Sequence, residues 1–424
     1  MTKTIRSVKG TRDFYPCNMI VHNWLYEHIR RVSNSYGFQQ WDGPVLETIE
    51  LYAAKSGDEL VKEQAFVFED RGGSFITLRP ELTPSLARMV AKNRNSLNMP
   101  LRWWSFGRFW RYERPQKGRA REFFQWNLDL IGSNSIRADA EVASIAAQFF
   151  YSIGFVPKDI VIKVNNRQFM EKIISDLGVL DNQFDIVFRL IDRVDKMSSE
   201  KWMQYASDVG LKDVQINKLH NELCKVDQWR DSEELSQFFE FTEMMGTRQW
   251  FEFDPKVVRG LDYYTGIVFE ARDRKLHHRA LLGGGRYDNL VSDMGGDAIS
   301  GTGFAMGDVV IKLLVEEFGL LPDINTSNTD ILITIFEEDL ISYSYEVASE
   351  LRKHNFAVEV YPDIVKLKKQ LKYADRQNIA IVLVLGPDEI ANSMVTVKKL
   401  SDGSQTNILL ADLPEVLRTM LESE

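Results

Sequence analysis

At 424 residues the chain is too long for one ordinary hydrophobic core, so two or three domains are expected. Its 44% apolar and 27% charged residues are those of a soluble globular protein, and no run of about eighteen apolar residues marks a membrane span. A net charge of −9 argues against indiscriminate nucleic-acid binding but leaves RNA to local basic patches; Cys17 and Cys224, the only cysteines, exclude a disulfide framework, argue against a cysteine-based zinc site and fit a reducing cytosol.

The first ten residues lack the apolar stretch of a secretory signal. Ile20, Trp24, Ile29 and Val32 recur at roughly helical spacing and predict a helix over 18–36, stopped by Gly37. Residues 38–46 read as extended, since Pro44 disfavours helix before it, and 47–56 as a short helix. Residues 65–78 read as a hairpin turning at Gly72 and Gly73. Arg79-Pro-Glu-Leu-Thr-Pro84 opens a helix to about Lys92, with Thr83 as its expected cap and Pro84 in its first turn. Two aromatic-rich strands, 101–110 and 123–131, flank a charged loop, and a helix follows near 138–151.

Residues 165–250 change texture: charged, poor in glycine and helix-like, as in an insertion or small helical subdomain. Strand-like texture returns at 250–253, at 266–270 and at Gly283-Gly-Gly-Arg-Tyr-Asp288. His277 and His278, among Arg272, Arg274, Lys275 and Arg279, read as a solvated basic turn rather than a metal site. A linker at 321–330 precedes a last domain. Its apolar runs at 331–336 and 379–385, the strand 357–361 and helices over 340–354 and 363–374 predict a βαβαβ unit with buried parallel strands. No Gly-x-Gly-x-x-Gly follows its first strand, which disfavours a dinucleotide site and leaves partner or RNA binding open. The expected organisation is 1–164 with 251–322, a helical insertion at 165–250, and a last domain at 328–424.

The most unusual chemistry lies between Arg111 and Gln125. From Arg102 to Arg121 there are six arginines and Lys117 against Glu113 alone. Guanidinium forks bind phosphate oxygens in pairs and keep their charge, so fixed arginines at the mouth of a hairpin suit a polyphosphate. Strand alternation puts Arg121, Phe123, Gln125, Asn127 and Asp129 on one face and Phe124, Trp126, Leu128 and Leu130 on the other. The second set is a core face. The first, taken alone, favours an exposed polar sheet face; a bound polar ligand is the alternative. Val258-Arg-Gly-Leu-Asp-Tyr-Tyr-Thr-Gly266 is the second unusual stretch, with an arginine, a carboxylate and two tyrosines beside glycines. Each tyrosine taken singly reads as a core aromatic, and the glycines at 283–285 read equally as turn or as close approach to a small ligand.

Together these segments resemble the histidyl-tRNA synthetase family of class II aminoacyl-tRNA synthetases. Lys9–Pro16 is similar to its N-terminal signature, Gly37–Tyr52 with Pro44 to motif 1, the arginine hairpin to motif 2, Arg259–Tyr264 to the histidine-specific motif, and the basic helix at 366–376 to its anticodon-binding domain. Residues 165–250 carry little of the resemblance. It implies an α+β catalytic domain with a mixed, mainly antiparallel sheet flanked by helices, a helical insertion and a C-terminal α/β anticodon-binding domain. It further implies L-histidine, ATP with Mg²⁺, and tRNA(His) as ligands, a cytoplasmic homodimer through motif 1, and no membrane. Carried over residue by residue, Glu81, Thr83 and Gln125 would hold the amino group of histidine, Asp129 its imidazole, and Tyr263, Tyr264 and Tyr287 would shape the pocket. Arg111 would grip the α-phosphate of ATP, Phe123 stack on adenine, Glu113 contact the nucleotide, Arg119 and Arg121 handle outer phosphates or the tRNA end, and Arg259 bridge α-phosphate and carboxylate. One departure stands out: Val310 occupies the place of the motif 3 arginine that clamps the γ-phosphate; Lys312 lies on another helical face, and Arg286 is the substitute considered. A histidine-sensing regulatory paralogue of ATP phosphoribosyltransferase is the alternative, disfavoured by intact arginine motifs and a complete last domain. A sensor module attached to a kinase is disfavoured because no kinase segment is present.

Overall fold

Aromatic and aliphatic residues alternating over 101–131 build the longest strands of the protein, and the other elements assemble around them. The computed structural model describes residues 4–53, 64–259, 263–275, 277–321 and 327–422. In chain order come α1 (Pro16–Ser35), β1 (Gln39–Gln40), β2 (Leu46–Thr48), α2 (Glu50–Ala53), β3 (Phe66–Glu69), β4 (Phe75–Leu78), α3 (Thr83–Asn93), β5 (Leu101–Trp110), β6 (Glu122–Ile131), α4 (Ile136–Ser152) and β7 (Ile160–Asn166). The helical stretch follows as α5 (Arg167–Asp176), α6 (Phe184–Asp192), α7 (Ser199–Asp208), α8 (Asp213–Glu222) and α9 (Glu233–Met244). Then come β8 (Phe251–Phe253), β9 (Ile267–Asp273), β10 (Leu282–Tyr287), α10 (Leu290–Asp293), β11 (Gly301–Gly307) and α11 (Asp308–Glu317). Residues 54–56 of the short helix expected over 47–56 lie outside the described residues.

These elements give an eight-stranded sheet in the order β1-β5-β6-β11-β10-β9-β7-β8 and a three-stranded sheet β2-β4-β3. Only β1–β5 and β7–β8 pair in parallel, so the large sheet is mixed and mainly antiparallel, as expected. One sheet face packs on α4, which buries Val142, Ile145, Phe149 and Phe150 against Trp126, Leu128 and Leu130 of β6. Leu235, Phe238 and Phe239 of α9 join this same core, whereas Met170, Val187, Ile191, Trp202, Ile216 and Leu219 form a separate one among α5–α8. Ser135 caps α4, its side chain accepting from the Arg137 N–H. Thr83 does not cap α3: it lies inside the helix, Leu82 precedes it, and no side chain caps that end, while Pro84 takes the expected first-turn place.

The chain divides into two compact units, Met1–Asp13 with Val21–Leu321 and Phe14–Ile20 with Pro322–Glu424. The second holds β12 (Ile331–Ile333), α12 (Ile341–Lys353), β13 (Val358–Val360), α13 (Leu367–Arg376), β14 (Ile381–Val384), α14 (Pro387–Ala391), β15 (Met394–Lys399), β16 (Gln405–Leu409) and α15 (Leu413–Glu422). Strands β13, β12 and β14 are parallel, which gives the expected βαβαβ core; β15 and β16 extend it as an antiparallel hairpin.

Alternation along β10 sends Arg286 to the α4 side. Its guanidinium donates from Nε and Nη2 to Asp139 Oδ2 at 3.0 and 2.6 Å, and to the Ser133 and Ser135 carbonyls at 2.9 and 3.2 Å. Asp139 is fully buried, and burial pushes its carboxyl up to about 6 against the pull of Arg286. Arg286 is therefore a structural tie and not a phosphate clamp, which corrects the substitution considered from the sequence. Breaking a buried ion pair from one side leaves a charge uncompensated, so Arg286→Ala is expected to cost about 3–5 kcal/mol in denaturant unfolding.

Candidate active site

Four glycines hollow out the sheet face opposite α4. Gly285 pairs with Gly303, and Gly303 with Asp129, across β10, β11 and β6, so Gly283, Gly285, Gly301, Gly303 and Asp129 share that face. A Cβ at Gly283 would strike the Arg259 guanidinium, one at Gly285 would lie 2.9 Å from the Tyr264 ring, and those at Gly301 and Gly303 would strike the Tyr287 ring and the Asp129 carboxylate. The missing side chains make room for these four groups.

Gln125, Asn127 and Asp129 are only 7, 3 and 4% exposed, so this is not the wet polar face that the strand alone favours. Gln125 Oε1 and Asn127 Nδ2 are buried without a hydrogen-bond partner among the described residues, which is what a polar ligand would supply. At one end the Tyr287 hydroxyl donates to Asp129 Oδ1 at 2.7 Å. The Tyr263 ring lies 4.8 Å from that of Tyr264 and 6.1 Å from that of Tyr287. The Thr83 side chain bears on the Tyr263 hydroxyl, and the Glu81 charge acts on both Tyr263 and Tyr264. Burial raises the Asp129 carboxyl to about 7, only partly offset by the bond from Tyr287. Burial and the neighbouring Asp129 likewise hold the Tyr287 hydroxyl well above its ordinary value.

The other end is built by the loop between β5 and β6. Its strands stay in register from Leu101↔Ile131 to Trp110↔Glu122, and Arg111 N–H closes onto the Arg121 carbonyl at 2.9 Å. Gly118, at φ 78°, makes the turn at its tip. Arg111 Nε donates to the Pro80 carbonyl at 3.0 Å, and its guanidinium lies 5.4 Å from the Phe123 ring, which stacks on Phe109. Arg121 donates to the Glu113 carbonyl at 3.1 Å, and the Glu113 carboxylate meets Arg119 at 3.3 Å and Arg279 at 3.9 Å.

Arg259 sits over the glycine floor with φ 57°, a left-handed backbone that costs a non-glycine residue about 1–3 kcal/mol. Glu270 of β9 holds it at 2.5 Å and holds Arg272 at 2.5 Å. Burial opposes the charge on Arg259, but Glu270 outweighs it and raises the guanidinium above its usual value. The two arginine segments face one cleft. Tyr264 feels the charges of both Arg259 and Glu81, and Glu81 follows the Pro80 carbonyl that receives Arg111. Arg279 feels Arg119, Glu113 and Arg111 of the arginine loop and also Glu270, the partner of Arg259.

The structure thus gathers Glu81, Thr83, Asp129, Tyr263, Tyr264, Tyr287 and Arg259 at one end and Arg111, Glu113, Arg119, Arg121 and Phe123 at the other, with Gln125 on the strand between them. Val310 is buried beside Gly118 in the tip of the arginine loop, and Lys312 pairs with Asp308 at 3.5 Å. The sequence reading missed Glu270, Arg279 and the floor glycines Gly301 and Gly303. It also took the 272–279 segment as a solvated turn. Arg272 instead pairs into the cleft, and the His278 side chain is 6% exposed and bonded to Glu317 at 2.8 Å. Among the described residues, no group of three or more His, Cys, Asp or Glu could hold a metal, and no helix is long and apolar enough to cross a membrane.

A mainly antiparallel sheet with an arginine hairpin on its open face, followed by a separate α/β unit, is the architecture of a class II aminoacyl-tRNA synthetase. A family model described as histidyl-tRNA synthetase matches residues 10–308, and one described as anticodon binding domain matches 327–420. The chain belongs to the histidyl-tRNA synthetase family. It is 39% identical over 415 residues to the chloroplastic/mitochondrial histidine–tRNA ligase of Arabidopsis thaliana, covering 96% of this chain and 85% of that one. It is 33% identical over 439 residues to histidine–tRNA ligase of Pyrococcus horikoshii, covering 99% and 100%. The fold matches the crystal structure of histidyl-tRNA synthetase from Nostoc sp. PCC 7120 with a TM-score of 0.81 at 23% identity, over 99% of this chain and all of that one.

The raised Asp129 carboxyl carries a sign for stability. The folded state keeps its proton up to about pH 7, the unfolded chain loses it near 3.8, so this group's contribution is complete below pH 3.8 and is lost as pH rises through 7. Asp129→Asn is expected to remove that part of the decline between pH 4 and 7, read as melting temperature against pH beside the parent protein.

Proposed function

We propose that the chain is a histidine–tRNA ligase: it activates L-histidine with ATP to histidyl-adenylate and transfers histidine to the 3′ end of tRNA(His). The observation that carries this reading is that Arg111 and Arg259, from distant segments, face one cleft beside a pocket ending in Asp129. In the first step a histidine carboxylate oxygen attacks the α-phosphorus and pyrophosphate leaves. In the second a terminal ribose hydroxyl attacks the acyl carbon and AMP leaves. The carboxylate is already a nucleophile, so the first step needs alignment and charge neutralisation rather than a base.

Arg111 and Arg259 supply that charge at the α-phosphate, with Arg259 also reaching the histidine carboxylate. Phe123 offers adenine a stacking face, Glu113 meets the same end of the nucleotide, and Arg119 and Arg121 take outer phosphates or the tRNA end. Glu81, Thr83 and Gln125 take the ammonium group. Asp129 accepts from the imidazole between Tyr263, Tyr264 and Tyr287. Mg²⁺ ordinarily takes one or two carboxylates together with phosphate oxygens, and Glu270 and Glu113 are the carboxylates that fit this set. Bound there with ATP, it would neutralise phosphate charge. The C-terminal unit, matched as an anticodon binding domain, takes tRNA. Exposed Val45, Leu46, Val67 and Phe68 near motif 1 support a homodimer, and two exposed free cysteines suit the cytoplasm.

The regulatory paralogue remains the second reading. A Bacillus halodurans structure titled ATP phosphoribosyltransferase regulatory subunit/histidyl-tRNA synthetase shares the fold at a TM-score of 0.73 and 21% identity. The paired arginine segments and the C-terminal unit favour the ligase. Histidine-dependent ATP–pyrophosphate exchange by the purified protein is the expected result; histidine binding without exchange would move the assignment to the paralogue. Arg259→Ala is expected to lower exchange about a hundredfold or more while melting as a folded protein, because Glu270 keeps Arg272 as its partner. Near-parental exchange in that variant would remove Arg259 from the chemistry.

A further inference from the structure

We propose that Arg279 grips the outer phosphates of ATP, and pyrophosphate in the reverse reaction, in place of the arginine that Val310 replaces. This rests on the ligase reading above and deepens it. A Cβ at Gly118, in the tip of the arginine loop, would lie 3.6 Å from Val310 Cγ2 and 3.9 Å from Arg279 Cδ. Position 310 and the stem of Arg279 therefore converge on one point of the loop. An arginine at 310 would have faced the space that Arg279 enters from the strand connection between β9 and β10.

Arg279 is placed there as an unspent cation. Its nearest acid is Glu113 at 3.9 Å, beyond hydrogen-bond reach, and among the described residues its guanidinium donates no hydrogen bond. Glu113 is already closer to Arg119, at 3.3 Å. The side chain is 45% exposed, so a ligand can reach it. Partial burial, then the charges of Arg119 and Arg111, pull it below its ordinary value. Arg119 and Arg279 share one carboxylate, the charge of Arg111 also bears on Arg279, and a polyphosphate relieves the repulsion among these guanidiniums. The other basic candidates are committed: Arg286 is tied to Asp139 and two carbonyls, and Lys312 to Asp308.

Contact with outer phosphates alone gives a specific signature. Arg279→Ala is expected to weaken ATP binding about tenfold or more by calorimetry, leave AMP binding within about twofold, and raise KM for ATP and pyrophosphate in exchange while KM for histidine stays put. Arg279→Lys is expected to recover part of the ATP affinity, since it restores charge without the fork. A merely structural role would lower ATP and AMP affinity together. Equal losses for both nucleotides, or an unchanged KM for ATP and pyrophosphate, would overturn the proposal. Absence of histidine-dependent exchange in the parent protein would instead overturn the ligase reading, so the two failures are separable.

Discussion

The cleft exists because four positions of the inner strands carry no side chain. Without that floor, Arg259, Tyr264, Tyr287 and Asp129 would have no place over β10 and β11, and the two arginine segments would have no shared space to face. Packing on the far side supplies the rigidity that glycine withholds. Trp126, Leu128 and Leu130 lock β6 against α4, and Arg286 ties β10 to the same helix through Asp139. One sheet thus carries a close-packed apolar face and a hollow polar one, set apart by nothing more than strand parity.

Charge is managed along the hollow by two carboxylates. Glu270 is shared between Arg259 and Arg272, and Glu113 between Arg119 and the more distant Arg279. Each spaces guanidiniums that would otherwise repel, and each leaves donors over for an anion. The left-handed backbone at Arg259 fits this arrangement: local strain is accepted where an ion pair and a bare strand over-determine the side chain's position. At the opposite end the environment is nearly dry, which is why Asp129 favours its neutral form and why three tyrosine hydroxyls cluster around the pocket.

Much of this was legible in the sequence where the signal was local. Alternation in 123–131 separated Gln125 and Asp129 from Trp126 and Leu128 correctly, and the apolar runs at 331–336 and 379–385 marked two of the three parallel strands of the last unit. Four things were not legible. Whether the polar face of β6 was wet depended on residues 263–264, more than a hundred positions away. Thr83 looked like a cap by residue type, yet it lies inside the helix with its side chain beside Tyr263 in the pocket. The segment 272–279 looked like solvated charge because nothing local shows that Glu270 and Glu113 draw Arg272 and Arg279 inward. The hairpin of β15 and β16 was also passed over, since its exposed outer strand carries little apolar periodicity.

The tie between Arg286 and Asp139 has a consequence for how the strand finds its place. A run of three glycines offers no side chain to tell one alignment from its neighbour, so β10 is the strand most able to slide between β9 and β11. A slip of one residue would turn Arg286 toward the hollow and Tyr287 into the helix. The buried ion pair forbids that by fitting only one alignment, and so acts as the index mark that keeps a featureless ribbon in step with the strands on either side.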